Sequence, residues 1–181
     1  TVTRAADVAS MTGTNFSSWY RQDGGTMLID TEKQPSSVLY VLMSNANFRS
    51  ALITQRVNST LLLTAANYNE INVYSAFNDT PRLKWAIYFS STTIRQSANG
   101  NSIVTLDGAI TTSFDRLSFA GLSWEAPSAT AAYGSVRFSR FTYYPVRLAD
   151  LALQYLSSAS GSPSSTTYPY TFTIKGKDTL A

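Results

Sequence analysis

RLKWAIYFSSTTIRQSANGNSIVTLD, residues 82–107, decides the class of fold. Leu83, Trp85, Ile87 and Phe89 recur at every second position, so one edge of the run is apolar. A period of two is the signature of a strand with one buried face, because successive side chains point to opposite sides of the pleat. Asn99-Gly100 is the hairpin dipeptide. Both central residues of a type I′ turn need positive φ, which this pair tolerates. The turn joins a strand over TTIRQSA to one over SIVTLD.

The same pattern spreads outward from this hairpin. TMLIDT (26–31) follows Asp23-Gly24-Gly25, a turn signal, and SVLYVLMS (37–44) holds the apolar run of a strand covered on both faces. SALITQRV (50–57), TLLLTAA (60–66), INVYSAF (71–77), RLSFAGL (116–122) and SVRFSRFTYY (135–144) continue it. In the last of these the apolar face shifts from Val136 and Phe138 to Phe141 and Tyr143. Strict alternation would put Arg140 on the core face, so a bulge is expected near Ser139-Arg140. About ten or eleven short strands, with no alternating helices, predict an antiparallel sandwich rather than a barrel.

YYPVRLADLALQYL (143–156) is the helical exception. Pro145 ends the strand. Leu148, Leu151, Ala152, Tyr155 and Leu156 then follow the spacing of one buried stripe, which predicts a short amphipathic helix plugging the rim of the sandwich. SSASGSPSSTT (157–167) reads as a Ser-rich linker. Beyond it Tyr168, Tyr170, Phe172 and Ile174 share one face of an extra strand within 168–181, leaving 1–156 as the sandwich.

Charged residues are only 14% of the 181-residue chain, against 44% hydrophobic, so its surface is polar through Ser, Thr and Asn. Such a face suits neutral polar ligands or other protein surfaces. The net charge of +3 is spread without any run of Lys or Arg, which argues against nucleic acid as a partner. With no Cys and no His, disulfides, thiolate or His-ligated metals and the Ser-His-Asp triad are all ruled out. No apolar run is long enough for membrane insertion as a helix. The opening TVTRAADVAS lacks a signal-peptide core and begins without Met, as a piece of a longer chain would.

Two motifs carry a resemblance. The closing one runs from Gly134-Ser135-Val136-Arg137 through Tyr143-Tyr144-Pro145-Val146-Arg147-Leu148 to Asp150, Leu153, Gln154 and Leu156. The opening one is Arg4-Ala5-Ala6-Asp7, Gly13, Asn15-Phe16-Ser17, Trp19-Tyr20 and Gly25-Thr26. Together they resemble the concanavalin-like (laminin G-like) jelly-roll domains of tailed-phage and prophage tail proteins. The resemblance implies an all-β, concanavalin A-like antiparallel β-sandwich with one short C-terminal helix. It also implies a place in the virion, as an accessory domain of a tail fibre or spike made in the cytoplasm of the bacterial host.

Under that resemblance the expected task is to hold bacterial surface polysaccharide without catalysis, with avidity from several copies, most simply a homotrimer. The competing expectation is a decoration or tail-assembly domain making contacts with other tail subunits. Trp124 and Tyr133 flank the loop SWEAPSATAAYG and offer ring faces to sugar C–H groups. Asn78 and Asp79, ahead of Pro81, offer oxygens to a sugar hydroxyl or to calcium, though no cofactor motif is present and such a pair more often merely shapes an Asx turn. Asp30 and Glu32 share one side of a strand like glucanase carboxylates, but without a third acid they read as a solvated strand end. Trp19, Tyr20 and Trp85 are expected in the core, and Tyr68, Tyr74 and Tyr88 on surfaces.

Overall fold

The computed structural model describes residues 9–32, 38–45, 51–57, 60–66, 70–76, 82–107, 113–119, 137–160 and 171–172. The chain begins with strand β1 (Ala9–Thr12), the single turn α1 (Thr14–Ser17) and β2 (Gly25–Glu32). There follow β3 (Val38–Ser44), β4 (Ala51–Val57), β5 (Thr60–Ala66) and β6 (Glu70–Ala76). Next come β7 (Arg82–Phe89), β8 (Thr93–Ala98), β9 (Val104–Asp107) and β10 (Arg116–Phe119). The chain closes with β11 (Phe138–Tyr144), α2 (Asp150–Ser157) and β12 (Thr171–Phe172).

The strands form two antiparallel six-stranded sheets, ordered β1-β10-β3-β4-β5-β6 and β12-β11-β2-β7-β8-β9. This is the expected all-β jelly-roll sandwich with one short helix near its C-terminal end. β1 and α1 lie in a stretch that shows no strand or helix period. The opening segment is instead held by its aromatic residues. Phe16 stacks on Tyr20 at 4.6 Å, and Trp19 meets Tyr143 edge-on at 5.0 Å.

Between the sheets, Met27, Ile29, Leu83, Trp85, Ile87, Phe89, Phe141 and Tyr143 pack against Met43, Leu117 and Phe119. The alternation of residues 82–107 is thus realised side by side in β7 and β8. Asn99 and Gly100 have φ of 51° and 77°, as the hairpin dipeptide requires. Within this core the Trp85 indole N–H donates to Gln96 Oε1 at 2.7 Å, and both side chains are wholly buried. Such pairing is what lets a polar group sit inside a sandwich. At one end Tyr143 donates to the Gly24 carbonyl at 3.2 Å and accepts from Arg21 N–H at 3.3 Å. A Cβ on Gly25 would collide with the Tyr143 phenol, so the glycine pair permits this close approach.

The bulge expected in β11 is present. Phe138 pairs with Thr31 and Arg140 with Asp30, leaving Ser139 as the extra residue. Phe138 and Phe141 both meet Phe119 edge-on, at 5.3 and 5.2 Å, so the bulge keeps one apolar face and turns Arg140 outward.

The helix departs from expectation in phase and in place. Leu153 and Leu156 are its buried leucines, whereas Leu151 is 80% and Tyr155 56% exposed. Helical geometry starts only at Asp150, after the extended N-cap residue Ala149, so Leu148 does not share the helix's phase. Nor does α2 plug the rim. It lies on the outer face of the second sheet, where Leu153 and Leu156 join Leu28, Ala86 and Tyr144, with Tyr88, Ile103 and Leu148 at the edge. The reason is that β2 and β7 are apolar on both faces, and the outer apolar half needs its own cover.

α2 reaches Ser157, the first residue of the Ser-rich stretch, whose hydroxyl is buried against Ser97 at 2.9 Å. Of the final strand, the described residues are Thr171 and Phe172, which pair with Thr142 and Phe141 of β11 at the sheet edge. Tyr168, Tyr170 and Ile174 lie outside the described residues.

Candidate functional site

Among the described residues, α2 covers part of the outer face of the second sheet, and the strand positions beyond it on that face are polar. The register brings Arg140 of β11, Asp30 of β2 and Lys84 of β7 into one lateral row across three adjacent strands. In the next row Glu32 lies opposite Arg82. Arg137, whose carbonyl accepts from the Glu32 N–H at 3.1 Å and the Thr31 hydroxyl at 2.7 Å, borders it.

Asp30 is the pivot of this surface. Its carboxylate is 8% exposed as a residue, and it takes both prongs of Arg82: Nε at 2.6 Å and Nη2 at 2.9 Å. A two-pronged, charge-assisted pair of this kind fixes the guanidinium plane. The hydrogen bond to Asp30 also raises the Arg82 pKa above its ordinary value, so Arg82 is cationic at any physiological pH. Asp30 and Glu32 do share one side, as their spacing predicts. Asp30, however, is a buried, paired carboxylate rather than a solvated strand end.

Arg140 is treated differently. It is half-buried, directly across from Asp30, while the Arg82 fork takes one bond at each oxygen of that carboxylate. Among the described residues its guanidinium makes no hydrogen bond or ion pair. Arg137 and Glu32 approach to 3.6 Å with side chains 83% and 57% exposed, a loose pair that contributes little to stability. Four cationic side chains therefore surround two carboxylates, one of them held by the Arg82 fork. The arrangement can orient an anionic group at its cations and accept hydrogen bonds from hydroxyl groups at Glu32. Lys84 is held from the side, its Nζ donating to the Ala159 carbonyl at 3.4 Å and its N–H to the Asn99 side chain at 2.9 Å.

Trp124, Tyr133, Asn78 and Asp79 all lie outside the described residues. Trp19, Tyr20 and Trp85 are core residues as expected. Tyr88 sits on the outer face, half-buried beside α2, with the Arg147 guanidinium 5.3 Å above its ring; Tyr68 and the Tyr74 side chain are outside the description. Among the described residues no group of three or more His, Cys, Asp or Glu could hold a metal ion. No helix there is long and apolar enough to cross a membrane.

Sequence reasoning missed the pairing of Asp30 with Arg82, 52 residues apart. It did mark Arg140, through the break in alternation that demanded a bulge.

No family model matches the chain, and no curated protein matches it in sequence. Solved structures do match in shape. The CBM40 module of Ruminococcus gnavus IT-sialidase, bound to alpha2,3 sialyllactose, is 18% identical, with a TM-score of 0.61 over 76% of this chain and 84% of that one. The LG1-3 region of the laminin alpha2 chain is 12% identical, with a TM-score of 0.61 over 81% of this chain and 31% of that one. Domains LG4-5 of the mouse laminin alpha1 chain are 13% identical, with a TM-score of 0.60 over 75% and 38%. At these identities the likeness concerns the fold, and the fold is the concanavalin-like, laminin G-like jelly roll.

Proposed function

We propose that this chain is a non-catalytic carbohydrate-binding domain. The observation that carries the reading is the polar part of the outer face of the second sheet, where the Asp30–Arg82 pair and the bulge at Ser139 hold charged and hydrogen-bonding side chains in fixed positions. Sugars are recognised by such pre-positioned polar groups, with apolar surface supplying the rest of the contact. The fold is also that of the sialidase CBM40 module bound to sialyllactose, which supports the same reading.

In its finer form the reading places the domain on the tail fibre or spike of a tailed phage, several copies per virion, holding polysaccharide of the host surface. Its support is the sequence resemblance of residues 4–26 and 134–156. In this reading the Trp124 and Tyr133 rings would stack on sugar C–H groups, and Asn78 and Asp79 would offer oxygens to sugar hydroxyls. A fluorescent fusion of the whole chain, applied to a panel of bacterial cells, tests this. Selective staining that free surface polysaccharide competes away is expected. Loss of staining in Trp124→Ala with an unchanged melting temperature would assign the loop a part in it.

One observation favours a second reading, a subunit contact in the virion. Val146, Leu151 and Tyr155 are the large apolar side chains exposed among the described residues, and all lie in or just before α2. Absent staining together with concentration-dependent self-association, lost in a Leu151→Asp Tyr155→Asp variant, would move the assignment there.

A further inference from the structure

Resting on the carbohydrate reading, we infer that the outer-face site prefers an acidic sugar, with Arg140 as the group that takes its carboxylate. Three features converge. First, the β11 bulge brings Arg140 to the outer face; regular alternation from Phe138 would bury it. Bulges serve to re-aim a side chain in this way. Second, Arg140 faces Asp30 without bonding to it, while the Arg82 fork takes one bond at each oxygen of that carboxylate. A half-buried guanidinium with no partner among the described residues is a ready two-pronged donor to an external carboxylate, whose two oxygens match its geometry. Third, Lys84 stands on the other side of Asp30 in the same row, so the local field favours an anion there.

The carboxylates of the surface narrow the class of ligand. Glu32 is 57% exposed beside Arg137 and would repel a densely charged polyanion. It would accept hydrogen bonds from the hydroxyls of a sugar that carries a single acid group. A monosaccharide unit with one ring carboxylate and free hydroxyls, such as a sialic or uronic acid, satisfies both halves of the surface.

The test uses the full chain in ligand-observed NMR titrations with sialyllactose and trigalacturonate, each against a neutral counterpart, lactose and galactotriose. Sulfated dextran serves as the polyanion control. Acidic members are expected to bind at least about tenfold tighter than neutral ones, as charge-assisted hydrogen bonds imply. Arg140→Ala should remove that preference, and Arg140→Lys should keep part of it. Arg21→Ala, which removes a cation paired with Asp23 in the turn before β2, should leave it intact. The melting temperature of Arg140→Ala should stay at the wild-type value, since no hydrogen bond or ion pair among the described residues is lost.

Neutral sugars bound as tightly as acidic ones, or a preference that survives Arg140→Ala, would overturn the inference while leaving carbohydrate binding in place. So would sulfated dextran binding that outcompetes the acidic sugars and is equally weakened by Arg21→Ala. Binding of none of these sugars would overturn it as well. If cell staining were also absent, the carbohydrate reading would fall with it.

Discussion

The face on which α2 rests can be decided by two alanine substitutions. Leu153 is 0% exposed and packs on Leu28, Ala86, Tyr144 and Leu156, whereas Leu151, two residues earlier, is 80% exposed. Truncating a buried leucine loses the transfer free energy of its methyl groups and leaves a cavity, about 2–5 kcal/mol together. The cluster under α2 is small and lies near the surface, where neighbours relax, so Leu153→Ala should cost about 3 kcal/mol. For a domain of this size that is a fall in melting temperature of about 6–12 °C. Leu151→Ala removes side chain already in water and substitutes a better helix former, so its effect should stay within about 0.5 kcal/mol. Urea unfolding followed by tryptophan fluorescence reads both, with an unchanged m-value as the sign that only stability has moved. Equal losses, or a larger loss for Leu151→Ala, would refute the packing described and restore the stripe of Leu148, Leu151 and Tyr155.

Other expectations follow from buried polar and crowded positions. Gln96→Leu leaves the Trp85 indole N–H without the Oε1 acceptor that lies 2.7 Å away, which should cost about 1–3 kcal/mol. The double variant with Trp85→Phe should show a coupling of about 1 kcal/mol in the same unfolding assay. Gly25→Ala drives a methyl into the Tyr143 phenol, and Gly24→Ala, at φ 117°, drives one into the Phe89 carbonyl. Either change should lower stability by more than about 2 kcal/mol, visible as a lower melting temperature or lost soluble yield. Burial pushes the Tyr143 hydroxyl up from the usual 10.0 to about 12, and raises that of Tyr20 as well. The unfolded chain ionises first, so this stability is intact below pH 10 and falls between pH 10 and 12, by up to about 1.4 kcal/mol per pH unit for each tyrosine. A melting-temperature series across that range should fall less steeply for Tyr143→Phe, and an identical fall would contradict the assignment.

Much of the fold was legible because strand signals are local. The alternation in 82–89, the apolar run in 37–44 and the Asn99-Gly100 turn each depend on a few consecutive residues, and β7, β3 and the β8–β9 turn sit where these predict. The bulge was legible too, since a period of two that fails once leaves a visible phase error at Ser139. β1 and α1 were not legible. Their stretch forms no periodic pattern, and its order comes from Phe16, Trp19 and Tyr20 entering a core built by distant strands.

The helix marks the boundary between the two kinds of information. Its existence followed from Pro145 and the spacing of leucines, but the side it buries depends on where the extended segment ends, and on Leu28 and Ala86, which belong to strands far away in sequence. The same holds for the site. That Asp30 and Glu32 share a face was implicit in their spacing. That Arg82 neutralises Asp30 and leaves Arg140 without a partner among the described residues became visible only in the register of three neighbouring strands. By itself the sequence determined the class of fold, an antiparallel sandwich with a single helix, because periodicity and turn chemistry act over a handful of residues. Only the tertiary structure decided which charges meet, because ion pairing depends on distances in space that strand pairing sets across dozens of residues.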